Sequence, residues 1–164
     1  METKRKTGMG IILMRIVFTC FLIYSVAFIF SNSLEIAQTS SAHSEQIREL
    51  VNKILGKIGF SPLSSHAIRK LAHFTEFMMM GFWFMLCLRV YTRHFIKHVS
   101  WPLFVGLLTA VMDETIQIFV PGRSSSTKDV LLDFSGFLAG LFVALLILMF
   151  ARMCYILFIY RDKE

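Results

Sequence analysis

Long apolar runs separated by short polar segments make up most of this sequence. The segments 9–30, 66–89, 101–120 and 128–151 each reach the roughly 20 residues that a helix needs to cross a bilayer. We therefore predict an all-α fold, a polytopic membrane protein built as a bundle of four transmembrane helices. Residues 1–164 are expected to form a single domain.

The polar segments between these runs suggest how the spans are connected. Residues 31–44 are rich in Ser, Asn, Thr and Gln, which is typical of a loop. From 44 to 58, apolar residues recur at helical spacing with charged residues opposite, which predicts an amphipathic helix on the membrane surface in the first outer loop. A helix packed on a neighbouring protein is the alternative. Ser61-Pro62 is typical of a helix start and predicts where the second span begins.

Composition supports the membrane assignment. The chain is 55% hydrophobic and 17% charged, whereas soluble domains carry about 25% charged residues. The basic residues behind the net charge of +6 are spread over loops and ends. This distribution is typical of residues that set membrane topology and contact anionic headgroups, and it excludes a nucleic-acid partner. Three cysteines do not indicate a disulfide framework.

Loop charge predicts the orientation. With the N-terminus inside, ten Lys and Arg residues face the cytoplasm and seven face outward. Because positive charge favours the cytoplasmic side, we predict that both termini are inside, N-in and C-in.

Charged residues within the predicted spans are the strongest functional signal, because such charges are costly in a bilayer. In the predicted topology they share one depth in the outer leaflet and one face of each helix, which predicts an outward-facing polar chamber. The candidate catalytic residues are His73, Glu76 and Asp113. The candidate ligand-binding residues are Arg69, Lys70, Glu114, Gln117, Arg123, Asp129 and Asp133.

The spacing of these residues allows finer expectations. Asp113 and Glu114 lie about 100° apart around a helix, so we expect Asp113 to face the chamber and Glu114 to face a neighbouring helix near Arg123. Gly136-x-x-x-Gly140 predicts close helix packing below the chamber. The first span has no polar residue at the matching depth and is expected to serve as a packing partner.

Two other interpretations of the polar residues stay open. One is a structural ion-pair network, in which the acids are simply matched by nearby cations. The other is a metal site, since His73, Glu76 and the aspartates are suitable ligands. No compact motif such as His-Glu-x-x-His is present, so we assign no metal ligand and no cofactor.

Three separated motifs resemble the VanZ-like family, small bacterial membrane proteins named for an accessory teicoplanin-resistance protein. They are Arg69-Lys70-x-x-His73-Phe74-x-Glu76-Phe77, Asp113-Glu114-x-x-Gln117-x-Phe119-Val120-Pro121-Gly122-Arg123 and Asp129-Val130-x-x-Asp133-x-x-Gly136. The resemblance covers the last three spans. It implies a role at the cell envelope of the bacterial cytoplasmic membrane and, in some members, low-level glycopeptide resistance.

The functional hypothesis combines the chamber with this resemblance. Arg69, Lys70 and Arg123 would hold a phosphate or carboxylate of an anionic lipid-linked or peptidoglycan-related component. The expected partners are membrane lipids, a lipid-linked cell-wall precursor or a glycopeptide. An intramembrane enzyme with acid–base or hydrolytic chemistry on an envelope lipid is the first alternative, and a partner-binding scaffold is the second.

Overall fold

The computed structural model describes residues 8–92 and 95–161, and the regular structure in these ranges is helical. The five α-helices are α1 Met9–Ser33, α2 Ala37–Ile58, α3 Ser65–Tyr91, α4 Ser100–Ile118 and α5 Thr127–Arg161, with a short 3-10 turn at Phe95–His98. The helix α5 continues well beyond the predicted end of the last span at residue 151.

Within the described residues, three helices are long and apolar enough to cross a membrane, namely α1, α3 and α5. The helix α4 is not among them. Its 19 residues are long enough, but Asp113, Glu114 and Gln117 lower its mean hydropathy. The all-helical architecture and the three apolar helices agree with the predicted fold, whereas the count of four spans stays a prediction.

The predicted loop 31–44 is wrong in its second half. The helix α2 begins at Ala37, and residues 37–55 can continue it because they contain neither glycine nor proline. Ser44 lies inside this helix, and its hydroxyl donates to the carbonyl oxygen of Ser40 at 2.8 Å. Helix α2 ends at Ile58 and is capped by Gly59, whose φ of 82° lies in the left-handed region that favours glycine.

The helix start predicted at Ser61-Pro62 is also wrong. Helix α3 begins at Ser65, and the Ser64 hydroxyl caps it by accepting from the backbone N–H of Ala67 at 3.2 Å. The segment before it is held by Asn52, which donates to the Leu63 carbonyl at 3.1 Å and accepts from the Leu63 N–H at 2.7 Å. These two bonds tie the α2–α3 connection to α2.

Glycines bring α3 and α5 into backbone contact. A Cβ at Gly136 or Gly140 would overlap the carbonyl oxygen of Phe74 or Met78, respectively. The close approach predicted from the Gly136-x-x-x-Gly140 spacing is confirmed. Further along this interface, three large side chains are completely buried: Phe77, Met80 and Phe137.

Helix α1 packs on another side of α3, where Phe21 stacks on Trp83 with ring centroids 4.4 Å apart. Its C-terminal end contacts α4, because the Ser33 hydroxyl donates to the Asp113 carboxylate. The arrangement collects the polar parts of four helices at one end of the bundle: the C-terminal ends of α1 and α4, and the N-terminal halves of α3 and α5.

Candidate functional site

Three side chains from three helices meet at the centre of this polar end. The His73 Nδ1 of α3 lies 3.7 Å from Asp113 Oδ2 of α4 and 3.9 Å from Asp133 Oδ1 of α5. One ligand-type atom of each residue lies within 4.8 Å of the other two. Both aspartates are completely buried, and His73 is largely so. These three residues, called here the central triad, have a donor set that could hold a metal ion.

In Asp113, unlike in Asp133, both side-chain oxygens are hydrogen-bonded to described residues. Its Oδ1 accepts from the Ser33 hydroxyl, and its Oδ2 accepts from Gln117 Nε2 at 2.8 Å. Gln117 lies four residues along α4, so one helix face carries both side chains. Asp113 is therefore held in one orientation by α1 and by its own helix.

The expectation that the first helix is only a packing partner is wrong. Besides Ser33, α1 supplies Asn32, whose amide donates to Glu76 Oε1 at 2.9 Å. Both residues belong to the polar triplet 31–33 that ends the first apolar run. That triplet was assigned to a loop, although its position at the end of a span was a usable signal.

A polar cavity of about 90 Å³ opens beside the triad, and its volume suits a few waters or a phosphate-sized group. Its walls come from α3, α4, α5 and the connection between α4 and α5. The lining residues are His66, Arg69, Lys70, His73, Glu114, Gln117, Arg123, Ser124, Asp129, Leu132 and Asp133. Most of the candidate residues are thus brought together around one space, and sequence reasoning missed His66, Ser124 and Leu132.

Neither Asp113, which is expected to face the chamber, nor the candidate Glu76 lines this polar cavity. Asp113 is sealed beneath the polar cavity. Glu76 instead lines a second, partly open cavity of about 460 Å³ between α1, α2 and α3, bordered mainly by apolar residues such as Phe21, Leu71 and Trp83. Glu76 Oε2 is buried there without a hydrogen-bond partner among the described residues.

The expected orientations of Asp113 and Glu114 are reversed. Glu114 faces the polar cavity, and its Oε2 accepts from the backbone N–H of Ser126 at 2.9 Å. Among the ion pairs of the described residues, none joins Glu114 to Arg123. Arg123 instead donates to the carbonyl oxygens of Asn32 at 2.7 Å and Glu35 at 3.1 Å, and so tethers the end of α1.

Two of the three cations on the cavity wall, Arg69 and Arg123, retain N–H groups without an acceptor among the described residues. Arg69 donates to the Ser41 hydroxyl at 3.1 Å, and Lys70 pairs with Asp129 at 3.0 Å. Within residues 8–92 and 95–161, Arg69 Nε and Arg123 Nη1 are buried and lack a hydrogen-bond partner. Burial lowers the pKa of Arg123 from its ordinary value, and the neighbouring Arg69 lowers it further. Two guanidinium groups that repel each other beside a cavity form a typical setting for an anion.

Comparison with known proteins places the chain in a family. A family model described as VanZ/LLP1 matches residues 16–149. The chain belongs to the VanZ/LLP1 family. This assignment confirms the resemblance predicted from the three motifs, and the match covers every candidate site residue. No curated protein and no solved structure matches the chain.

Membership of the VanZ/LLP1 family leaves open whether the polar end is an ion-pair network or a working site. In an ion-pair network each charged side chain would have an oppositely charged partner, as Lys70 and Asp129 have in each other. Asp133 does not, because neither of its buried oxygens has a hydrogen-bond partner among the described residues. Buried polar groups are nearly always satisfied in native structures, so these two oxygens set Asp133 apart from the matched pair of Lys70 and Asp129.

Proposed function

We propose that this VanZ/LLP1 protein binds an anionic lipid-linked or peptidoglycan-related component at the envelope of the bacterial cytoplasmic membrane. The observation that carries the proposal is the pair of unpartnered guanidinium N–H groups, on Arg69 and Arg123, at the wall of the polar cavity. Arginine N–H groups form charge-assisted hydrogen bonds with phosphate and carboxylate oxygens. The ligand's anionic group would accept hydrogen bonds from both of these N–H groups.

The apolar cavity favours a lipid-linked ligand over a free anion. It lies on another face of α3, and Glu76, one turn from His73, forms part of its wall. A volume of about 460 Å³ has room for a segment of hydrocarbon chain. A headgroup in the polar cavity and a chain along the apolar one would then flank the same stretch of α3.

The proposed topology places the polar cavity on the outer side of the membrane. In it, α1, α3, α4 and α5 all span the bilayer, and both termini are cytoplasmic. Helix α2 would lie on the outer surface, with its exposed apolar side chains in the lipid: Ile47, Leu50, Ile54 and Ile58. Cell-wall precursors are exposed on that side, so binding one of them would alter glycopeptide access and produce low-level resistance.

Binding can be tested by native mass spectrometry of the detergent-solubilised protein with polyprenyl phosphate and with the matched neutral polyprenol. We expect retention of the phosphate lipid and much weaker retention of the alcohol. Arg69→Gln should weaken phosphate-lipid binding by about tenfold or more, the effect of one charged hydrogen bond worth about 1.5–3 kcal/mol. Arg48→Gln is the matched control, because Arg48 pairs with Glu45 on the surface of α2. Equal retention of both lipids would overturn the proposal.

The central triad favours one second candidate, an intramembrane hydrolase. His73 lies at the polar cavity with two carboxylates beside it, an arrangement suited to a general base that activates water. His73 would take a proton from water as the water oxygen bonds to phosphorus, the P–O bond to the lipid would break, and the lipid oxygen would take up the proton, releasing inorganic phosphate and polyprenol. If the protein is a hydrolase, the wild type should release phosphate from polyprenyl phosphate. His73→Gln should abolish this release but still bind the lipid. No release above background would leave binding as the function.

A further inference from the structure

We propose that the central triad of His73, Asp113 and Asp133 binds one divalent metal ion through an imidazole nitrogen and two carboxylate oxygens. The inference does not depend on the lipid ligand proposed above, because it concerns the protein's own binding of a cation. It starts from geometry. The His73 Nδ1 distances to Asp113 Oδ2 and Asp133 Oδ1 are 3.7 and 3.9 Å. Ligand atoms on one tetrahedral zinc lie about 3.3 Å apart, so small side-chain movements would bring all three to one ion.

Unsatisfied atoms supply a second and independent observation. His73 Nδ1 and both oxygens of Asp133 are buried without hydrogen-bond partners among the described residues. Asp133 is completely buried, and its Oδ1 is the atom that faces the imidazole. A buried carboxylate with no donor is costly, because water that solvated it in the unfolded chain is lost. A cation bound by His73 Nδ1 and Asp133 Oδ1 would satisfy two of these three atoms.

Local charge also favours a cation at this position. Asp113 and Asp133 can together contribute two negative charges, which a divalent ion would neutralise. The contacts that the nearby side-chain cations make are not to the triad: Lys70 pairs with Asp129, Arg69 donates to Ser41, and Arg123 donates to two backbone carbonyls, of Asn32 and Glu35. In the described part of the chain, no lysine or arginine forms an ion pair with either triad aspartate.

The supporting residues fit those of a metal site. Gln117 and Ser33 donate to the two oxygens of Asp113 and so orient this ligand. Hydrogen bonds of this kind are usual around metal-binding carboxylates. Three protein ligands leave at least one coordination position free, and the polar cavity lies beside His73 and Asp133. The mixed nitrogen and oxygen donors favour zinc or manganese over calcium.

The test uses the full-length protein in detergent, free of any histidine tag. After chelator treatment and dialysis it is loaded separately with Zn²⁺, Mn²⁺ and Mg²⁺, gel-filtered and measured by elemental analysis. We expect about one equivalent of zinc or manganese per chain to remain bound. Wild-type protein that retains none of the three ions would overturn the proposal.

Variants locate the ion. Asp133→Asn and His73→Gln should each reduce metal retention to background. Asp129→Asn and His66→Gln are the matched controls, because they change the same residue types on the wall of the same cavity outside the triad. Both controls should keep the bound ion. If a control loses as much metal as its triad counterpart, binding is not at the triad and the proposal fails.

A spectroscopic measurement covers the case in which a triad variant does not fold. Cobalt titrated into wild-type protein should produce visible absorption with about one-to-one stoichiometry, because Co²⁺ commonly occupies zinc sites. Gln117→Ala should weaken this binding by about 10–100-fold while the spectrum at saturation persists, since it removes an orienting hydrogen bond and no ligand. A featureless titration, or an unchanged affinity in Gln117→Ala, would count against the triad as the site.

Discussion

The interface between α3 and α5 changes character along its length. In the part away from the polar end, Gly81 and Gly140 let the two backbones touch, and the side chains of Phe77 and Phe137 are completely buried. At the polar end, the same two helices present His73 and Asp133 beside a cavity, with buried atoms that lack hydrogen-bond partners among the described residues. The glycines and buried phenylalanines stabilise the packing of α3 against α5, whereas His73 and Asp133 depend on that packing for their positions.

The two parts differ in what they contribute energetically. Close packing of apolar surface and backbone stabilises the fold, and an atom added there destabilises it because no space is left. Buried carboxylates without donors oppose folding, and natural proteins retain such features mainly where function requires them. Overpacking the apolar part, or removing a satisfied hydrogen bond or ion pair, should therefore lower the free energy of unfolding, whereas removing the unpartnered Asp133 carboxylate should raise it.

The largest effect is expected at Gly140. Valine there would overlap the carbonyl oxygen of Met78, which is backbone and cannot move aside. We expect Gly140→Val to destabilise the protein by about 3 kcal/mol, the upper end of overpacking costs. Thermal unfolding in detergent and abundance in the membrane would measure this loss. Gly10→Val is the control, because a Cβ at Gly10 meets no atom within 4 Å. Equal stability of both variants would show that the helices separate easily.

A smaller loss is expected at Glu114. Glu114→Ala removes the acceptor of the Ser126 N–H, the bond that joins α4 to the residues before α5. The expected cost is about 1–3 kcal/mol, the usual penalty for a buried group left unpaired. Thr115→Ala is the control, because Thr115 is the adjacent exposed residue. Thermal unfolding would compare them, and a Glu114 variant as stable as the control would mean that this bond contributes nothing.

At Asp133 we expect a gain in stability. With metal removed by a chelator, Asp133→Asn should raise the midpoint of thermal unfolding by an amount that corresponds to about 1 kcal/mol, because it removes an uncompensated buried charge. A structural ion-pair network predicts the opposite, a loss of about 3–5 kcal/mol on breaking a buried pair. Asp129→Asn, which breaks the partly exposed pair with Lys70, should lower stability by at most about 1 kcal/mol.

The substitution with the smallest expected effect on stability tests the orientation of the protein in the membrane. Ser125→Cys, in a chain whose native cysteines are replaced, changes an exposed residue between α4 and α5 and should leave stability unchanged. An impermeant thiol reagent should label it in intact cells, because the proposed topology places it outside. Labelling that requires permeabilisation would put the polar end of the bundle on the cytoplasmic side and remove the argument for a cell-wall ligand.

Much of the architecture followed from local pattern. The apolar runs predicted α1, α3 and α5, because helix length and hydropathy are properties of each segment alone. The spacing of Gly136 and Gly140 predicted the close packing of α5. The three motifs predicted the VanZ/LLP1 family, and most of their polar residues do line one cavity.

Other features were decided only by tertiary structure. Helical periodicity shows which residues share a face but not how each helix is rotated against its neighbours, so the orientations of Asp113 and Glu114 were predicted in reverse. Asn32 and Ser33 join the site because α1 ends at the level of Asp113, which no property of α1 alone specifies. The division into a polar and an apolar cavity, with Glu76 on the apolar side, likewise depends on the packing of α1 and α2 against α3. Local sequence therefore supplied the polar groups, and helix packing determined which of them meet.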